Sequence, residues 1–173
     1  MNTGEELVSS YLQYILGCEF IQKNLYTVDT QGEIDVVGIN LKEQRVYLCE
    51  VAIHLITGLQ YTKGTAPNNV QKLTEKLNRD IQYATKFFPE YKKHVMLWSP
   101  IVKSGKDSSK HSQVRDIEEI RSNINNQHGI EVEFIINEKF FVVPAQNASL
   151  CGKDNRRIEV PGNAFHANRR AAQ

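Results

Sequence analysis

The chain has 173 residues, of which 40% are hydrophobic and 24% are charged. This composition excludes a disordered or fibrous chain, and the length predicts one compact domain. The net charge of +1 hides an asymmetry, because residues 1–60 carry eight acidic and three basic side chains, while residues 61–173 carry twelve acidic and eighteen basic ones. No apolar run is long enough for a membrane span, and the polar start is unlike a signal peptide. We therefore expect a cytoplasmic protein without a membrane partner.

The first part of the chain predicts one helix and three strands. Apolar residues recur at helical spacing over 5–16, Thr3 stands where a helix cap is expected, and Gly17 follows the helix. Three strand-like runs separated by turn signals then predict strands over 19–28, 34–41 and 45–55.

The remaining elements alternate between helix and strand. A loop over 58–69 is followed by an amphipathic helix that Pro89 stops. Further along, the pattern predicts a strand over 94–98, a basic loop over 103–113, a helix over 114–127 and a strand over 130–136. The order α-β-β-β-α-β-α-β predicts the α/β class, with a mixed central sheet flanked by helices. We expect a single domain over 1–146 and a polar, basic tail over 147–173.

Two carboxylates interrupt the apolar strands. Asp35 lies in the second predicted strand and Glu50 in the third. A carboxylate in a buried strand is costly unless it is paired or bound to a cation, and two of them on adjacent strands favour a divalent metal such as Mg²⁺. Strand alternation through residue 55 predicts His54 on the same face as Glu50. Glu5, or its neighbour Glu6, is a third carboxylate that the opening helix brings towards the same place.

Structural roles for the same residues stay open. Asp35 is also consistent with a solvated strand position, and Glu50 with a pair to a buried lysine or arginine. A lone histidine such as His54 is often structural, and Glu5 and Glu6 also suit the positive end of the helix dipole.

The first third of the chain contains four short motifs, which are, in order, Gly4-Glu5, Asn24, Gly32-Glu33-Ile34-Asp35 and Leu48-Cys49-Glu50-Val51-Ala52. In this order they resemble the PD-(D/E)XK nuclease superfamily, which has the restriction-endonuclease-like fold. The closest likeness is to predicted bacterial endonucleases related to archaeal Holliday-junction resolvases. The likeness covers residues 4–55, and it implies an α-β-β-β-α-β core.

The resemblance also implies a chemistry. A DNA endonuclease of the restriction, repair or junction-resolving type would hydrolyse a phosphodiester bond with Mg²⁺ (or Mn²⁺). Asp35 and Glu50 would hold the metal, with the backbone carbonyl of Val51 and the auxiliary carboxylate of Glu5. Cutting both strands of a duplex implies a homodimer.

Ala52 departs from the motif, because the superfamily has a lysine there. The lysine charge is predicted to come from a following segment, where Lys63, Lys72 and Lys76 are candidates. Alternatively, His54 replaces the lysine as a base or metal ligand. The third explanation is a non-catalytic nucleic-acid-binding protein on the same fold.

Basic side chains outside the carboxylate strands suit a polyanion such as DNA, which they would contact without reading its sequence. These candidates are Lys63, Lys103, Lys106, Lys110 and Arg115. A solvated loop and tail explain the same residues equally well. An unrelated α/β interaction protein or small-molecule enzyme, with structural carboxylates, is the remaining interpretation.

Overall fold

The computed structural model describes residues 3–29, 31–105 and 112–143. In chain order its elements are α1 (Thr3–Tyr14), β1 (Phe20–Thr27), β2 (Gly32–Asn40), β3 (Arg45–Val51), β4 (Thr62–Lys63), β5 (Ala66–Pro67), α2 (Asn69–Phe87), β6 (Lys92–Ser99), α3 (Gln113–His128) and β7 (Val132–Ile136). The predicted tail over 147–173 lies outside the described residues.

Five strands form one sheet in the order β1-β2-β3-β6-β7. The first three strands pair antiparallel, and β3, β6 and β7 pair parallel. The core divides between the two faces of this sheet, with α1 packed on one and α2 and α3 packed on the other. The predicted α/β class with a mixed, helix-flanked sheet is therefore confirmed. In the described part of the chain, no helix is long and apolar enough to cross a membrane.

The periodic apolar residues form the core, as the pattern predicts. On α2, the side chains of Leu73, Leu77, Ile81 and Ala84 are buried against the sheet. Burying a leucine or isoleucine side chain contributes about 1.5–3 kcal/mol relative to leaving it exposed. This stripe fixes the rotation of α2, and so it determines which of the other α2 side chains face the neighbouring strands.

Three local predictions are wrong. Thr3 lies within α1 and not before it. The third strand ends at Val51, not at residue 55, because its pairing with β6 stops at the Val51–Trp98 pair. His54 is therefore outside the strand, and alternation no longer relates it to Glu50. The predicted loop over 58–69 contains the small hairpin β4–β5.

Candidate active site

The two strand carboxylates lie where β2 and β3 separate. The last described pair between these strands joins Val36 to Cys49, and Asp35 and Glu50 are the next residues on their strands. Asp35 Oδ2 accepts a hydrogen bond from the backbone N–H of Val51 at 2.7 Å. The side chain thus satisfies an amide that the ladder no longer pairs. We call this point of separation the fork.

Glu50 is almost fully buried, at 1% exposed. Its Oε1 accepts hydrogen bonds from the Lys76 ammonium and, at 3.2 Å, from the Tyr61 hydroxyl. Its Oε2 is buried and has no hydrogen-bond partner among the described residues. Lys76 Nζ also lies 3.9 Å from Asp35 Oδ1. One lysine therefore contacts both carboxylates at the fork.

The other predicted replacements for the missing lysine lie elsewhere. Lys63 is exposed on β4 and Lys72 is exposed on α2. His54 is exposed too, with its ring edge-on to Tyr61 at a centroid distance of 6.3 Å. Ala52 itself is buried in the apolar core. Of the sequence candidates, Lys76 is the one that the structure brings to Asp35 and Glu50.

Burial dominates the electrostatics of the fork. It raises the pKa of Glu50 to about 7, with a second contribution from Asp35, while Lys76 and Tyr61 act to lower that pKa. Burial also raises the pKa of Asp35, although the charge of Lys76 and the hydrogen bond from the Val51 amide oppose the rise. Two carboxylates so close cannot both ionise cheaply without a compensating cation.

A second layer lies behind the fork on α2. Asp80 is fully buried, its Oδ1 accepts a hydrogen bond from Arg79 at 3.1 Å, and its Oδ2 has no hydrogen-bond partner among the described residues. Burial, with a smaller contribution from the charge of Glu50, raises the pKa of Asp80 to about 7, although Arg79 opposes the rise. Sequence reasoning missed Asp80, although its place beside Leu77 and Ile81 on the apolar stripe was a usable signal. It also missed Tyr61, for which the loop sequence gives no signal.

Helix α1 adds one carboxylate, that of Glu5, to the surroundings of the fork. Glu5 is buried, and its charge raises the pKa of Asp35. Glu6 instead pairs with Lys23 on β1. In residues 3–29, 31–105 and 112–143, no group of three or more His, Cys, Asp or Glu side chains is placed to hold a metal ion. A cation at the fork would therefore rely on one or two carboxylates, as Mg²⁺ commonly does.

One of the predicted basic contacts, Lys103, lies at a cleft beside Tyr61. Lys103 borders a cleft of about 440 Å³ that Tyr61 also lines. Lys63 and Arg115 are exposed. Lys106 and Lys110 lie outside the described residues. Of this set, the structure therefore brings only Lys103, among the described residues, to the cleft that Tyr61 shares.

Replacing Tyr61 by phenylalanine is expected to raise the pKa of Glu50, because the phenol favours the ionised carboxylate. Losing such a bond costs about 0.5–1.5 kcal/mol, equivalent to a rise of up to about one pKa unit. Carbon-13 NMR titration of labelled glutamates measures it. The exposed Tyr26→Phe is the matched control, and an unchanged Glu50 titration would contradict the assigned hydrogen bond.

Comparisons of the chain with protein-family models, with curated proteins and with solved structures found no match. Evidence for function therefore comes from the residues of the fork.

Proposed function

We propose that this chain is a metal-dependent DNA endonuclease whose active site is the fork. One observation carries the proposal: Lys76 of α2 contacts Glu50 and lies 3.9 Å from Asp35. In the superfamily that the motifs resemble, a lysine follows the second carboxylate by two residues, where this chain has Ala52. A lysine donated by α2 supplies the same charge from a different element.

The donor set suits a hard cation. Glu50 Oε2 is a buried carboxylate oxygen without a hydrogen-bond partner in the described ranges, and such an atom is costly unless something binds it. Asp35, Glu50 and the Val51 carbonyl would hold Mg²⁺ (or Mn²⁺), and the auxiliary carboxylate of Glu5 would add negative charge near the ion without binding it directly. When bound, such a cation supplies activation of the attacking water and neutralisation of the developing phosphate charge.

The chain's own groups have distinct roles in this proposal. The Lys76 ammonium orients the attacking water and stabilises negative charge on the phosphate. Tyr61 orients Glu50 through its hydroxyl, which keeps its proton because burial and the charge of Glu50 raise its pKa. The surrounding lysines, such as Lys103, hold the phosphate backbone without reading sequence.

The alternative is a non-catalytic nucleic-acid-binding protein on the same fold. The direct pairing of Lys76 with Glu50 favours it, because a buried carboxylate that only needs a partner would adopt the same geometry. Both versions propose a nucleic acid as the partner, with DNA first, and the cytoplasm as the compartment. The endonuclease, which must cut both strands of a duplex, would work as a homodimer.

Cleavage of supercoiled plasmid and branched DNA tests the proposal, and Asp35→Asn is the decisive variant. Asparagine retains an acceptor for the Val51 amide but removes the charge, so we expect metal-dependent nicking to fall by at least about 100-fold. The matched control is Asp29→Asn, because Asp29 pairs with Lys86 on the surface, and it is expected to cleave like the wild type.

The other outcomes separate the candidate functions. Salt-sensitive DNA binding without cleavage by the wild type would favour the non-catalytic alternative. If the wild type neither binds nor cleaves, both nucleic-acid functions are wrong.

A further inference from the structure

Two large aliphatic side chains stand exposed on the turn that follows β3. Leu55 is 65% exposed and Ile56 is 84% exposed, and the turn continues through Thr57. Single exposed apolar residues are ordinary, but two adjacent ones at the tip of a turn mark a contact surface when the turn is also held rigidly. We call residues 55–57 the tip.

The base of the tip is firmly attached to the rest of the fold. The Gly58 N–H donates to the His54 carbonyl at 3.1 Å, closing the turn. Gln113, at the start of α3, donates to the Thr57 carbonyl at 2.9 Å. Gly58 has a φ of +68°, and a Cβ there would lie 2.9 Å from the carbonyl oxygen of Ile101, so the position requires glycine. The tip is therefore held out in solvent by its anchoring.

The tip also lies beside the fork. His54 at its base packs edge-on against Tyr61, and Tyr61 donates a hydrogen bond to Glu50. A single aromatic side chain thus separates the base of the tip from the carboxylates. Because Leu55 and Ile56 follow His54 directly in the chain, a polymer bound at the fork and extending past Tyr61 would meet the tip.

Charge around the tip suits a polyanion. No aspartate or glutamate occurs between Glu50 and Glu75, whereas Lys63 and Lys72 occur in that stretch. In space, Lys103 lines the same cleft as Thr57 of the tip, and the acidic residue of that cleft, Asp116, accepts a hydrogen bond from Asn69. An apolar tip beside a lysine-bearing cleft is typical of proteins that insert leucine or isoleucine between base steps of DNA. A membrane fits less well, because two aliphatic side chains hold fewer carbons than the single myristoyl chain that gives only marginal anchoring.

We propose that the tip is a wedge that enters the base stack of the nucleic acid bound at the fork, so that the preferred substrate is DNA kinked or unstacked at the cleavage point. This inference rests on the proposed function. Insertion into an intact duplex requires a base step to unstack, which costs free energy, and a gap or branch removes that cost. The wedge therefore gives a preference for already opened DNA.

The test compares binding to an intact duplex and to the same duplex with a one-nucleotide gap, each carrying 2-aminopurine, with Ca²⁺ in place of Mg²⁺. We expect the full-length wild type to prefer the gapped duplex by about tenfold, equal to 1.4 kcal/mol, and to increase 2-aminopurine emission. Leu55→Ser combined with Ile56→Ser is expected to bind both duplexes alike without the increase. Leu41→Ser, an exposed leucine at the opposite end of β2, and Ile56→Phe are expected to keep both effects.

Each other result overturns the wedge in a recognisable way. If the double serine variant keeps the preference and the emission change while wild-type cleavage is present, the wedge is wrong and the proposed function stands. If the variant loses only self-association in sedimentation, or only binding to anionic vesicles, the tip meets a second copy or a lipid surface instead. A wild type that neither binds nor cleaves DNA ends both proposals.

Discussion

Replacing Lys76 by methionine is expected to lower the kcat of metal-dependent DNA cleavage by about 10²–10³-fold, with a smaller change in KM. Methionine preserves the length and most of the apolar contact of the side chain but removes the ammonium that contacts Glu50 and lies 3.9 Å from Asp35. The expected loss falls on kcat because the charge acts mainly on the transition state. Single-turnover cleavage of a nicked or branched substrate measures it.

The control variant changes a second lysine of α2. Lys86 also lies on α2, but it is exposed and pairs with Asp29, so Lys86→Met is expected to keep wild-type kcat. If Lys76→Met cleaves normally but unfolds more easily, Lys76 is a structural partner of Glu50 and the explanation through a relocated lysine is wrong. Full activity in Lys76→Met combined with loss in His54→Ala would instead favour His54.

Most of the fold could be predicted because its elements are periodic. The apolar stripe of α2 and the alternating runs of β1 and β2 indicate both element type and buried face. The ends of elements were less predictable, because they depend on partners. The run after Arg45 continues to Ile56 with only Glu50 and His54 as polar interruptions, yet β3 ends where its pairing with β6 ends. The hairpin β4–β5 consists of two short strands, and the apolar pattern of residues 58–69 does not predict them.

The residues of the site likewise divide into those that a local sequence pattern predicts and those that depend on tertiary packing. Asp35 and Glu50 could be predicted as a pair, because each breaks an apolar strand and adjacent strands bring them together. Lys76 could only be one of three lysines, since the choice depends on how α2 packs against the sheet. The predicted placement of His54 on the strand face of Glu50 is wrong, because β3 ends at Val51. The hydrogen bond from Tyr61 to Glu50 is a tertiary contact across a loop.

Without metal, Glu50→Gln is expected to stabilise the protein at pH 8 and to leave its stability unchanged near pH 4. The folded protein holds a proton on Glu50 up to about pH 7, whereas an unfolded glutamate releases it near pH 4.5. Between these values the unfolded state binds fewer protons, so the free energy of unfolding falls as the pH rises. The difference corresponds to about 3 kcal/mol, which the neutral glutamine avoids.

Urea unfolding between pH 4 and pH 8, with EDTA or with Mg²⁺, measures both halves of this prediction. Mg²⁺ is expected to stabilise the wild type at pH 8 and not Glu50→Gln, because a cation that binds only the folded state raises the free energy of unfolding. Glu133→Gln is the control, and it is expected to lower the free energy of unfolding at pH 8. The hydrogen bond with His94 lowers the pKa of Glu133, so the charge of Glu133 stabilises the folded protein above pH 4.5. If Glu50→Gln is less stable than the wild type at pH 8 in EDTA, the Glu50–Lys76 pair is a net structural contact. The fork would then be an ordinary buried ion pair, and the proposed metal site would lose its energetic basis.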